Sequence, residues 1–182
     1  MLELVIFLVG SLGLVILSRQ SLTNPRSHGF PRFLAFEAIL GLVVLNVPLW
    51  FVQPFSLPQL VSWTILLVSA FLAVHSFWVF RQFGEADKSI QDTSRLAFEK
   101  TTRLITHGPY RFIRHPMYTS LLFLTWGVFL KQITLLSSLL VLLASLALYA
   151  TAILEEQENL RNFGNEYAEY MQHTKRFIPF VL

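Results

Sequence analysis

The chain has 182 residues, of which 54% are hydrophobic and only 14% charged, with a net charge of +3 and no cysteine. A soluble domain is nearer a quarter charged, and several apolar runs approach the ~20 residues that cross a bilayer, so the composition is that of an integral membrane protein forming one compact domain. The lack of cysteine excludes disulfides, thiolate metal sites and cysteine nucleophiles.

The first run, "LELVIFLVGSLGLVIL", carries Glu3 where a signal peptide has a basic start, and no small-residue cleavage pattern follows, so a retained helix is expected. Spans are expected at roughly 2–17, 33–52, 58–80, 117–130 and 133–154. Arg19, Arg26 and Arg32 lie in the first connection, and Arg81, Lys88, Arg95, Lys100, Arg103, Arg111 and Arg114 in the third. The tail carries Arg161, Lys175 and Arg176; only Lys131, in the tight "KQ" hairpin, falls on the other side. The positive-inside rule then sets an outer N-terminus and a cytoplasmic C-terminus, which five spans satisfy. The fourth is short, and is expected to tilt or to start below the surface. The fifth pattern runs on as helix through "ILEEQENLRNFG" to Gly164 as C-cap. Asn165 is expected to cap the short helix "EYAEYMQH", and "RFIPFVL" is apolar enough to return to the membrane surface.

The expected fold is therefore all-α and integral to the membrane, with five transmembrane helices, a C-terminal helical hairpin and a cytoplasmic helical extension. Residues 1–99 hold the first three helices and a polar loop, and 100–182 a C-terminal module. "FGEADKSIQDTSRLAFEKTT" reads as a cytoplasmic loop or a cover over a site.

The chemistry gathers in "HGPYRFIRHPMY". A residue before proline is pushed out of the α region, so His115 should be extended, and Pro116 suits the first turn of a helix. The free N–H groups of Met117, Tyr118 and Thr119 would face the mouth of that helix, where anions are favoured, with Arg114 and His115 beside them. A basic headgroup anchor with a belt tyrosine is the plainer reading of "RHP" alone. Upstream, Gly108 and Pro109 make a second helix start, and two such turns in tandem look like a built loop.

The second feature is "EEQE" at the exit of the fifth span, where carboxylates near hydrocarbon need a reason. Thr151, Glu155, Glu158 and Asn162 share one helix face, and Glu156 points about 100° away. A tight hairpin brings the start of span four beside the end of span five, so the basic turn and the acidic pair should form one pocket. Glu37 and His75 are intramembrane ionisable groups that either line a substrate cavity or serve structurally, Glu37 by reaching the interface or pairing with Arg32 or Arg81.

Together, "LITHGPYRFIRHPMY", a hairpin and "EEQENLRNFGNEYAEYMQHTKRFIP" resemble the isoprenylcysteine carboxyl methyltransferase family, related to the phospholipid N-methyltransferases, over roughly residues 100–180. The resemblance implies a membrane methyltransferase using S-adenosylmethionine in a pocket formed by the motif loop and the hairpin. It implies cofactor contacts from Arg103, Leu104 and Ile105 through backbone, from His107, Gly108, Tyr110, Arg114, His115, Pro116, Met117 and Tyr118, and from Glu155. One position departs: the family's carboxyl methyltransferases carry an arginine four residues before the first glutamate, and Thr151 stands there. Leu160 also falls one residue later than the usual pattern.

Methyl transfer from a sulfonium is an in-line displacement that needs alignment and exclusion of water. A carboxylate acceptor needs no base, whereas an amine or thiol does. Glu156 is the expected base, with Thr151 beside the acceptor and Glu158 and His75 as further candidates. The expected partner is a lipid or prenylated small molecule within the bilayer, not a nucleic acid. The membrane is the bacterial or archaeal plasma membrane or the endoplasmic reticulum. A phospholipid N-methyltransferase or a small-thiol S-methyltransferase is the alternative, and a non-enzymatic membrane protein the further one.

Overall fold

In the computed structural model, described here for residues 1–84 and 103–181, the chain is a bundle of helices. They are α1 (Leu2–Leu22), α2 (Gly29–Asn46), α3 (Leu57–Phe83), α4 (Pro116–Phe129), α5 (Leu135–Phe163) and α6 (Asn165–His173), with 3₁₀ turns at Val47–Leu49 and Gly108–Arg111. Four of them, α1, α2, α3 and α5, are long and apolar enough to cross a membrane. The fourteen residues of α4 rise only about 21 Å, short of the ~30 Å hydrocarbon core. The polar stretch expected as a loop or cover falls largely outside the described residues.

Helix α2 packs on α1 and α5, while α3 packs on α4, and α4 meets α5. The core between α2, α4 and α5 is built of small and branched residues: Ala35, Ala38, Ile39, Ala144, Ala147, Leu148 and Ala152. In lipid there is no hydrophobic drive between helices, and small residues let backbones approach. Polar side chains lock the α3–α4 seam. The buried hydroxyl of Ser62 donates to the Gly127 carbonyl (2.6 Å), and that of Ser69 to the Ser120 carbonyl (2.6 Å). A Cβ on Gly127 would stand 2.9 Å from Leu66, so this seam requires glycine. Helices α2 and α3 stand either side of α4, and Leu42 of α2 and Leu66 of α3 share a core cluster with Val128 and Val141.

The hairpin before α5 is capped as a reciprocal box. The Ser137 amide donates to Thr134 Oγ1 (3.1 Å), and the Thr134 amide donates to Ser137 Oγ (2.8 Å). Such a box satisfies helix-end donors that otherwise stay unbonded. At the other end α5 closes on Gly164 at φ +57. The same glycine serves as N-cap of α6, so Asn165 is the first helical residue and not the expected cap. Beyond α6 the chain turns back along the loop before α4. Arg114 N donates to Lys175 O (2.7 Å), His115 N to Arg176 O (3.1 Å) and Lys175 N to Phe112 O (3.1 Å). This short ladder fixes the tail against the "RHP" turn and buries Phe177.

Candidate functional site

The "RHPMY" turn forms as its prolines dictate. His115 leaves the helical region at φ −122, ψ 58, and Pro116 opens α4. The ring of His115 is buried, stacked on Tyr118 with centroids 5.5 Å apart. Upstream, Gly108 takes φ +58, and a Cβ there would meet Val79 at 2.8 Å. Only glycine combines this backbone with this approach. We expect Gly108→Ala to cost about 1–2 kcal/mol from the left-handed backbone alone. It should also shift the turn that carries Tyr110, read as a lower melting temperature.

A cavity of about 300 Å³ opens between this turn, α2, α3 and the ends of α4 and α5. Its lining includes Arg103, Leu104, Ile105, Tyr110, Arg114, His115, Pro116, Met117, Tyr118 and Glu155. The hairpin thus brings the basic turn and the acidic exit of α5 to one cavity. His115 Nδ1 stands 3.8 Å from Glu155 Oε2.

The other expected residues lie elsewhere. His107 is exposed and stacks on Phe83 (centroids 4.4 Å), and Gly108 faces Val79, so neither lines the cavity. Thr151, fully buried, turns its hydroxyl onto the Ala147 carbonyl (2.7 Å), which leaves it no face on the cavity. Glu156, 4% exposed, accepts from Arg114 Nε (2.8 Å) and from Arg176 Nη2 (2.6 Å) and Nε (3.1 Å). It also stands 3.3 Å from His115 Nε2. Burial pushes its carboxyl upward, but the donors from His115, Arg176 and Arg114 outweigh this and hold it well below the usual carboxylate range. Glu156 is therefore a clamp for the turn and the tail; a base needs an available lone pair and a pKa near the working pH. Glu37 accepts from Ser11 of α1 (2.9 Å to each oxygen), not from the expected arginines, and is absent from the cavity wall. His75 stacks between Phe71 (5.7 Å) and Trp78 (6.2 Å) and is likewise absent from it.

The cavity also holds residues that sequence reasoning missed. Asn159, Phe163, Tyr167 and Tyr170 line it from the end of α5 and from α6, and Arg32, Phe36, Ala73, Phe80, Ser120 and Leu121 from α2, α3 and α4. Tyr170 donates to the Tyr110 carbonyl (2.6 Å), tying α6 to the motif loop. Burial pushes the Tyr167 and Tyr170 hydroxyls far above their ordinary value, so both stay neutral donors. The i, i+3 spacing of these tyrosines was the signal available for them.

Helix α2 is pinned to α5 at its start. The backbone N–H of His28 donates to Glu158 Oε1 (3.2 Å), and its Nδ1 lies 2.5 Å from Glu158 Oε2. Glu158, expected as a possible base, is committed to this contact.

The phospholipid methyltransferase family model matches residues 58–166, more than half of the chain. The chain belongs to that family. Among curated relatives of this phospholipid methyltransferase family member, a probable protein-S-isoprenylcysteine O-methyltransferase of Oryza sativa subsp. indica is 37% identical over 100 residues, 53% of this chain and 51% of the rice protein. Protein-S-isoprenylcysteine O-methyltransferase B of Arabidopsis thaliana is 25% identical over 133 residues, covering 72% of this chain and 61% of its own length. Methanethiol S-methyltransferase of Pseudomonas deceptionensis is 27% identical over 143 residues, covering 79% and 48%. The resemblance read from the motif loop and the "EEQENLRNFG" run thus stands. The chain spans about half the length of the rice proteins it matches. No solved structure matches at a comparable level.

Proposed function

We propose that this chain is an S-adenosylmethionine-dependent methyltransferase of the membrane, most like the protein-S-isoprenylcysteine O-methyltransferases. Its site would lie on the cytoplasmic face, where the basic loops gather, and its acceptor would be lipid-embedded or amphipathic. The observation that carries this reading is the single cavity joining the "RHPMY" turn to Glu155. The wall fits the methyl donor. A zwitterion wants a helix N-terminus and a carboxylate, and a sulfonium is favoured by carboxylate charge and aromatic faces. The start of α4, Glu155 and the rings of Tyr110, Tyr118, Tyr167 and Tyr170 supply these.

When bound, that group would supply an electrophilic methyl on sulfur. The protein's part is then to align, to hold and to exclude water. His115, fixed by the Tyr118 stack and the tail ladder, and Glu155, fixed on α5, would hold the donor. Residues 103–105 would contribute backbone groups. The apolar wall of Phe36, Ala73 and Leu121 would seat the acceptor, which would enter from the bilayer. Residues 100–182 would act as the donor-binding module, with α3 closing its back.

Titration calorimetry with S-adenosylhomocysteine tests this reading. The wild type should bind, and Glu155→Ala or His115→Ala should weaken binding about tenfold to a hundredfold, as loss of a charged hydrogen-bonding group does. Unchanged affinity in both variants, each still folded, would overturn the site assignment.

A small-thiol acceptor is the second reading, favoured by the likeness to the Pseudomonas protein. A methyl-transfer assay with isoprenylated thioether acids and with small thiols separates the two.

A further inference from the structure

We infer that the end of the bundle opposite the "RHPMY" turn holds a site for the phosphate of an anionic phospholipid, built around Lys131. The site is separate from the cavity described above and does not depend on what that cavity binds.

A second cavity, of about 230 Å³, lies between the α2–α3 connection and the α4–α5 hairpin. Gln53 and Ser56 line it from the connection, Gln59 from the opening turn of α3, and Lys131 and Gln132 from the hairpin. The rise along α5 from Leu135, beside that hairpin, to Glu155 is about 30 Å. A headgroup held here is thus about a hydrocarbon core's thickness from the donor cavity. The lipid is a structural ligand and not the methyl acceptor.

A lysine at the end of a membrane helix ordinarily extends its ammonium to water. Lys131 is instead turned inward and only 8% exposed. Its Nζ donates to Gln59 Oε1 (2.8 Å) and stands 3.9 Å from the centroid of Trp63 and 5.6 Å from that of Trp50. All three partners are neutral. Among the described residues no carboxylate pairs with Lys131, so its charge is held in place without being neutralised. A buried charge is costly until an anion meets it. An ammonium carries three N–H donors. Gln59 takes one and the Trp63 face can take another, which leaves one for the cavity.

The rest of the wall suits an anion as well. Gln53 and Gln132 are exposed, and Ser56, the N-cap of α3, makes no capping bond with its hydroxyl. All three can donate. Among the described residues no carboxylate lines the cavity. A choline or ethanolamine ammonium therefore finds no anionic partner here, and the Trp63 face that could receive one is taken by Lys131. The wall selects an anionic headgroup over a zwitterionic one.

The surroundings make the phosphate a lipid's. Phe51, Phe55, Leu57, Ile133 and Leu135, which neighbour the lining residues along the chain, are all exposed. Apolar side chains at the end of a membrane bundle sit in the bilayer and its interface, so the cavity opens at headgroup depth with an apolar rim for acyl chains. A phosphate seated there touches both connections and clips the α2–α3 loop to the α4–α5 hairpin. Binding to the folded state alone stabilises it by mass action.

The test uses the purified full chain in dodecyl maltoside micelles doped with phosphatidylglycerol or, separately, with phosphatidylcholine of the same acyl chains. The rise of melting temperature with lipid mole fraction gives an affinity for each. Wild type should prefer phosphatidylglycerol at least about tenfold, the factor that one hydrogen bond to a charged group carries. Lys131→Met should remove that preference. Each variant is compared with itself in the two lipids, so its own loss of stability cancels. Gln132→Glu, an exposed change that keeps Lys131 and its partners, should cut the preference by up to about fivefold through the carboxylate it adds to the wall. This second variant decides the outcome if Lys131→Met does not fold. Equal responses of the wild type to both lipids would overturn the inference. So would a preference that survives in Lys131→Met, or one that Gln132→Glu leaves intact. Inorganic phosphate without doped lipid forms the last arm and should leave the melting temperature unchanged. A saturable rise with phosphate, lost in Gln132→Glu, would assign the site to the free anion and overturn the lipid.

Discussion

Glu156→Gln should lower the stability of the protein by about 3–5 kcal/mol, the cost of leaving buried charges without their counter-ion. Glu156 sits where three strands of chain meet: the motif turn through Arg114, the tail through Arg176 and α5 itself. Arg114 further donates to the Met171 carbonyl (3.3 Å) and to that of Thr174, so the end of α6 depends on the same guanidinium. With the carboxylate neutralised, two guanidiniums that are 9% and 19% exposed face each other without compensation. The pH dependence follows with a definite sign. A carboxyl held far below its ordinary 4.5 in the folded protein contributes stability in full above that value. The contribution is lost as pH falls through the depressed folded value. Wild type should therefore lose melting temperature on acidification below about 4.5, and Glu156→Gln should lose less over the same window, having nothing there to protonate. Equal melting temperatures of variant and wild type at pH 7 would show that the three contacts do not hold the tail.

Much of this arrangement was legible in the sequence, and for a physical reason. Apolar runs between basic connections report spans directly, because lipid forces the backbone into helices. Pro116 and Gly164 mark a helix start and a helix end through steric rules that act locally. The "KQ" hairpin was enough to place the motif turn against the exit of α5. What sequence did not resolve was which side of each helix meets what. Thr151 and Glu155 share a face by spacing, yet the α5 stripe through Ala147, Leu148 and Thr151 is sealed in the core before the cavity begins. Glu156 was a candidate base, with Glu158 and His75, for an acceptor that must first lose a proton. The partners of Glu156 come from residues 114 and 176, whose proximity is tertiary. Arg32 looked like any positive-inside charge, and Glu37 found Ser11 on a neighbouring helix. These are contacts between segments distant in the chain, which no local periodicity encodes. The family match reaches back to residue 58 and so takes in α3, which the motif reading treated as a generic span.

The second large effect is expected at the other end of the same helix turn, where His28 meets Glu158. His28 is 1% exposed, and its Nδ1 lies 2.5 Å from a carboxylate that is 21% exposed. Burial alone would depress the imidazole. The hydrogen bond that His28 donates to Glu158 and the charges of Glu155 and Glu158 outweigh both burial and the repulsion of Arg32, so its pKa is raised above the ordinary 6.5. A raised folded value means that the contribution is present in full below 6.5 and is lost as pH rises through the folded value. His28→Gln should therefore cost about 3 kcal/mol at pH 6, by leaving Glu158 without its cation. The difference in melting temperature from wild type should shrink as the buffer is made alkaline. A difference that stays constant from pH 6 to pH 9 would mean that the contact is neutral throughout and that burial prevails over the carboxylates.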